Sequence, residues 1–149
     1  MSAGEYCNRE VVVINKDASV RDAVNLLRNF HVGDVVVVEQ VAGKNHPIGI
    51  LTDRDIVLEV LAKDVDMTSV TIGDVMSLKL VTVTEQTSLL DTLESMRQHG
   101  VRRLPVVDST GVLVGIITLD DLLELFAEQI SKVAALMKSE QRKEEKQRS

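Results

Sequence analysis

Two threonine–aspartate pairs carry the first hint of chemistry. Thr52 and Asp55 stand in "GILTDRDI", and Thr118 and Asp121 stand in "GIITLDDL". An isolated T-x-x-D at a helix start is first of all a capping box. The hydroxyl accepts a main-chain N–H, and the carboxylate reaches back to the cap amide. The carboxylate also suits the positive end of the helix. The same pair at a strand end is suited to a second task, because a carboxylate can accept two hydrogen bonds from the adjacent hydroxyls of a ribose. Each such charge-assisted bond is worth about 1.5 to 3 kcal/mol. A glycine three residues before each threonine lets something approach the strand backbone closely. Capping and ribose binding do not exclude each other.

Other residues supply charge nearby. "GVRRLPV" places Arg102 and Arg103 in sequence with Val101 and Leu104. Arginine is well suited to phosphate, although two strand-edge arginines can equally face solvent. The matching stretch is "HVGDVVV", where Asp34 replaces Arg103 and Val36 replaces Pro105. Arg54, inside the first T-x-x-D, either supplies the missing charge or faces solvent. The expectation is therefore that Thr118 and Asp121 form the better-supplied site, with Arg102 or Arg103 meeting phosphates. Asp53 and Asp55 read as partners of the helix dipole, with Mg²⁺ entering only as a companion of bound phosphates. His31, His46 and His99 form no ligand spacing; His31 and His99 fall at helix ends. No Ser/His/Asp or Cys/His arrangement and no Walker glycine loop is evident, so an enzyme is not expected.

The elements that must position these residues come from a duplication. Asp22 matches Asp91 at an offset of 91 − 22 = 69, which also matches Val12 to Val81, Ser19 to Ser88, Arg28 to Arg97 and Val32 to Val101. At the glycine the offset becomes 115 − 49 = 66. The first copy thus holds three extra residues, in "EQVAGKNHPIG", which reads as a turn between strands. Each copy predicts β-α-β-β-α. A β-branched run ("EVVVI", "LVTVT") precedes a helix with apolar residues at i, i+4, i+7 and Ser19 or Ser88 as N-cap. Two strands follow ("DVVVVE" and "PIGILT"; "RLPVVD" and "VLVGIIT"), then a second helix. A unit of about 55 to 60 residues is marginal alone. Two of them, over 9–66 and 71–131, are expected to share one pseudo-symmetric α+β globule, linked through "TSVTIGDVM" and followed over 132–149 by a helix extension and a charged tail.

Composition excludes several classes. The chain of 149 residues is 44% hydrophobic but only 2% aromatic, so its core is aliphatic. It has no tryptophan, and its net charge of −6 gives no pull toward nucleic acid. Cys7 is alone, which rules out an intrachain disulfide. No stretch approaches a membrane span, and Glu5 and Arg9 interrupt any signal-like apolar run. A soluble cytoplasmic protein is the expectation.

The chain resembles a tandem pair of CBS domains, the regulatory modules named after cystathionine β-synthase, over about Arg9 to Glu128. "MRQHGVRRLPVVDSTGVLVGIITLDDLL", Met96 to Leu123, is very similar to the family pattern. "VRDAVNLLRNFHVGDVVVV" with "GILTDRDIV" is looser, and "TIGDVMS", Thr71 to Ser77, resembles the segment that opens second repeats. The resemblance implies two βαββα repeats packed as a pair. It also implies adenosine nucleotides (AMP, ADP or ATP) or S-adenosylmethionine bound in clefts between them. By residue matching, Thr52 and Asp55 hold ribose in one cleft and Thr118 and Asp121 in the other, with adenine against aliphatic residues such as Val101 and Leu104. A sensor of this kind, tuned to cellular energy status, acts on an unidentified effector protein. The alternative is an interaction module with empty clefts. Finally, Leu123, Phe126, Ile130, Val133 and Met137 repeat at spacings of 3, 4, 3 and 4, an a/d seam. Paired CBS modules commonly form disc-like dimers, so the seam is expected to join a homodimer interface or to fold back on its own chain.

Overall fold

The computed structural model describes residues 1–76 and 80–148. Ser77, which ends the Thr71–Ser77 segment, and Ser149 lie outside the described residues. After a short helix α1 (Ala3–Tyr6), the first repeat runs β1 (Val13–Asn15), α2 (Val20–Phe30), β2 (Asp34–Val41), β3 (Lys44–Thr52) and α3 (Asp53–Ile56). The last of these continues as a π-helical stretch, Val57–Leu61. The second repeat opens with α4 (Ile72–Val75) and runs β4 (Val83–Thr84), α5 (Leu89–His99), β5 (Arg103–Val107), β6 (Leu113–Thr118) and α6 (Leu119–Arg148). The architecture is the expected α+β duplication.

Both sheets have the same topology. β1 pairs in parallel with β2, and β2 antiparallel with β3; β4, β5 and β6 repeat this order. A bulge falls at matched positions, between Val37 and Val38 and between Val106 and Val107. The opening strands are shorter than the β-branched runs suggest. The first hairpin, conversely, extends through the polar stretch expected as its turn. Only Ala42 and Gly43 form the turn, both at positive φ (53° and 77°), the geometry that a tight two-residue hairpin needs. Pro47 lies inside β3, paired with Val38 just past the bulge. The three extra residues therefore lengthen a hairpin.

The helix signals are realised. Ser19 Oγ accepts from Asp22 N–H at 3.1 Å, and Ser88 Oγ from Asp91 N–H at 3.1 Å. His31 ends α2 in the left-handed region (φ 52°), where Gly100 ends α5 (φ 62°).

The stretch expected as a linker is structural. Ile72 is fully buried in the core of the first sheet, among Val20, Val35, Leu51 and Val60. Its N–H donates to Ala18 O at 2.9 Å, and Gly73 N–H donates to Lys16 O at 2.9 Å. The chain's own start does the same for the other repeat. Ala3 is fully buried with Leu104, Val106 and Ile117, and its N–H donates to Thr87 O at 2.8 Å. Asn8 and Ile116 exchange two main-chain bonds of 2.9 Å. A Cβ on Gly115 would sit 2.5 Å from Cys7 Sγ and 2.9 Å from Asn8 O. What approaches the strand at this glycine is thus the N-terminal segment rather than a ligand. Burial of the Cys7 thiol raises its pKa. Each repeat's opening helix completes the other repeat's core, so a first unit beginning at residue 9 omits part of the second unit's interior.

The two sheets meet through Val36, Val38 and Ile116, flanked by Val11, Val13 and Leu113. α6 leaves this globule. Its 30 residues span about 45 Å at 1.5 Å per residue. Phe126 packs on the second core, but Ile130, Val133, Leu136 and Met137 are 59 to 69% exposed. The seam does not fold back on its own chain. The charged tail is helical through Arg148, in keeping with its content of Lys, Glu, Gln and Arg, all good helix formers. Among the described residues, no helix is long and apolar enough to cross a membrane.

The exchange of opening helices is open to measurement. Ile72→Ala is expected to lower unfolding stability by about 2 to 5 kcal/mol in urea denaturation, as for other fully buried isoleucines. A loss below about 1 kcal/mol would show that the exchanged helix adds little to the first core.

Candidate functional site

Both T-x-x-D pairs sit where a strand ends and a helix begins, and both form complete capping boxes. Thr52 Oγ1 accepts from Asp55 N–H at 3.1 Å, and Asp55 Oδ2 accepts from Thr52 N–H at 2.9 Å. At the start of α6, Thr118 Oγ1 and Asp121 Oδ2 make the same two bonds at 3.2 Å. Only one oxygen of each carboxylate serves the box, and the other stays outside it.

Each pair faces the opposite repeat. Thr52 and Asp55 share a cleft of about 490 Å³ with Val81 and the turn from Gly100 to Leu104, and Arg54 lines it too. Thr118 and Asp121 share a smaller cleft, about 250 Å³, with Val12, Val32, Gly33 and Asp34. The repeat offsets exchange the two: Ile50 with Ile116, Val81 with Val12, Val101 with Val32. The main chain is held alike in both. Asp53 N–H donates to Gly33 O at 2.9 Å, and Leu119 N–H donates to Arg102 O at 2.8 Å. The strand that carries T-x-x-D is thereby fixed beside the helix-to-strand turn of its own repeat, and that turn lines the other cleft.

The sequence grouping set Arg102, Arg103, Val101 and Leu104 beside Thr118 and Asp121; of these, Arg103 lines the Thr118–Asp121 cleft and the other three do not. Val101, Arg102 and Leu104 line the Thr52–Asp55 cleft. The physical reason is the pairing of β5 with β6. Arg103 lies opposite Thr118 in register, but the turn before β5 points across the pseudo-dyad to the other repeat. Leu104 is also corrected as an adenine contact, because its side chain is 1% exposed and belongs to the second core. Among the described residues, Arg103 alone lines both clefts.

At the pseudo-dyad, matched positions meet as opposites. Arg103 Nη1 lies 3.2 Å from Asp34 Oδ2, with the Asp34 side chain 17% and the Arg103 side chain 32% exposed. Sequence matching exposed this change from Asp34 to Arg103 but gave no sign that the two side chains touch. Burial pushes the Asp34 carboxyl above its ordinary range; the Arg103 guanidinium draws it down and Asp53 pushes it up, and burial prevails. Arg102 is 3.7 Å from Asp120, a solvent-exposed pair that contributes little.

The pattern of the CBS domain family matches residues 3–62 and 72–128. The chain belongs to the CBS domain family. It is 39% identical over 121 residues to the CBS domain-containing protein YhcV of Bacillus subtilis, a match covering 81% of this chain and 82% of that one. An uncharacterised conserved protein from Pyrococcus horikoshii has a similar structure, with a TM-score of 0.72 at 27% identity over 83% of this chain and 90% of that one. The cytosolic domain of the Mg²⁺ channel MgtE, solved in complex with ATP, gives a TM-score of 0.70 at 26% identity over 83% of this chain and 48% of that one. The matched 3–62 span takes in α1, whose partner is the second repeat.

In this CBS pair, the Asp34 carboxyl ties stability to pH. A carboxyl with a raised folded pKa binds more protons folded than unfolded, so it lowers stability as pH rises from the unfolded value toward the folded one. Asp34→Asn removes that dependence. The variant's stability relative to the parent is therefore expected to rise as pH climbs through the window just above 3.8, the ordinary aspartate value. Urea denaturation across that window measures the gap, and a gap independent of pH would contradict the buried-carboxyl assignment.

Proposed function

We propose that this CBS pair is a regulatory module, not an enzyme, that binds an adenosine nucleotide between its repeats and alters the activity of a partner protein. The observation that carries this reading is the Thr52–Asp55 cleft. Asp55 offers a carboxylate oxygen outside its capping box for ribose hydroxyls. Val81 and Val101 offer an aliphatic surface for adenine, and Arg54, Arg102 and Arg103 offer charge for phosphates, with Mg²⁺ as their companion. The likeness to the MgtE domain solved with ATP supports the same ligand class. A ligand spanning both repeats changes how they are set against each other. A coupling of about 1 to 3 kcal/mol would change a partner's affinity 5- to 150-fold.

A second reading, an interaction module with empty clefts, draws on the complete capping boxes, since both pairs already have a structural task. Calorimetry separates the two. ATP or AMP is expected to bind, and Asp55→Ala to weaken binding about 10- to 150-fold, the equivalent of 1.5 to 3 kcal/mol. Asp55→Asn, which keeps an oxygen for the cap, controls for loss of fold. Unchanged affinity in the folded Asp55→Ala protein would remove the ribose role.

We further propose that the module is a homodimer in which α6 takes part. Among the described residues, nothing covers the exposed stripe Ile130, Val133, Leu136 and Met137. The helix is also acidic early (Asp120, Asp121, Glu124, Glu128) and richer in base later (Lys132, Lys138, Arg142, Lys143), which favours antiparallel pairing of two copies. Sedimentation equilibrium should give a dimer for the full chain and weaker association for Val133→Glu, Met137→Glu. A monomeric parent would end the dimer proposal, and a fully dimeric variant would take α6 out of the interface.

A further inference from the structure

We infer, resting on the nucleotide-binding reading above, that the two clefts are partitioned by charge. The Thr52–Asp55 cleft takes an adenosine bearing phosphate, and the Thr118–Asp121 cleft takes an adenosine whose 5′ substituent carries no negative charge. The clefts share what an adenosine requires. Ile50, Val81 and Val101 in one correspond to Ile116, Val12 and Val32 in the other, and each has its threonine and aspartate. They differ in what a phosphate would meet. The first cleft gathers Arg54 and Arg102, beside the Arg103 that Asp34 holds, against Asp53 and Asp55. The second gathers Glu10, Asp34 and Asp121 against Arg103 alone among the described residues.

That arginine is also committed. Asp34 holds Arg103 at 3.2 Å in a partly buried pair, so a phosphate in the second cleft would have to displace a carboxylate and then lie beside it. Gly33, at the position matching Arg102, brings no side chain to help. Size acts in the same direction. The second cleft, about 250 Å³, falls below the roughly 300 to 1,000 Å³ of ordinary ligand sites, whereas the first, about 490 Å³, lies within that range. A compact nucleoside suits the smaller space and a nucleotide the larger. The repeats thus kept one recognition frame and diverged at the dyad, where Asp34 faces Arg103, into two specificities.

The test is calorimetry with ATP and with 5′-methylthioadenosine, which is uncharged at the 5′ position. ATP should bind one equivalent per chain, at least tenfold more weakly in Asp55→Ala and within about twofold of the parent in Asp121→Ala. Protein saturated with ATP should still bind one equivalent of 5′-methylthioadenosine, and Asp121→Ala should weaken that binding at least tenfold. Asp34→Asn should release Arg103 and admit a second equivalent of ATP; Glu10→Gln, at an exposed position, should move the second cleft the same way. Two ATP equivalents of similar affinity in the parent would overturn the partition while leaving nucleotide binding intact. So would 5′-methylthioadenosine that ATP excludes or that fails to bind ATP-saturated protein. Binding of neither compound would overturn both the partition and the nucleotide reading.

Discussion

Neither sheet of this chain closes its own core, and everything else follows from that. Ile72 opens the second repeat yet fills the first core; Ala3 precedes the first repeat yet fills the second. A three-stranded sheet with one or two helices buries too little apolar surface to stand alone. Exchanging an opening helix increases burial on both sides and fixes the repeats against each other. The clefts exist because this exchange, together with the contact of Val36 and Val38 with Ile116, holds each strand end opposite the other repeat's turn.

The capping boxes are the second economy. A helix N-terminus leaves main-chain N–H groups without partners, and a threonine–aspartate box answers two of them at once. It also fixes the rotamer of a carboxylate at the rim of a cleft, with one oxygen still outside the box. Asp55 and Asp121 are therefore pre-oriented without further support, which would lower the entropy lost in the proposed ribose binding. The same geometry explains why the motif alone is ambiguous: the capping role and the proposed ribose role need the same two residues.

Duplication followed by divergence shaped the centre. In a perfectly symmetric pair, identical residues would meet at the dyad, and two aspartates or two arginines there would repel each other. Asp34 facing Arg103 replaces that repulsion with attraction, although the raised pKa of Asp34 shows that burial still penalises its charge. The asymmetry is thus useful to the fold and at the same time makes the two clefts electrostatically unlike.

The sequence by itself determined the local features. The offset of 69 located the duplication, the β-branched runs and i, i+4, i+7 patterns located strands and helices, and Ser19, Ser88 and the T-x-x-D pairs marked helix starts that the structure reproduces. These signals are legible because caps and amphipathic faces act within a few residues of chain. Tertiary structure alone decided which residues face one another. No local pattern says that Ile72 packs with the sheet before it, that Val101 and Arg102 line a cleft with Thr52 in place of Thr118, or that Leu104 turns inward. Those contacts depend on how two sheets with the same local propensities are set across a pseudo-dyad, and that arrangement is fixed by burial summed over the whole globule rather than by any segment of it.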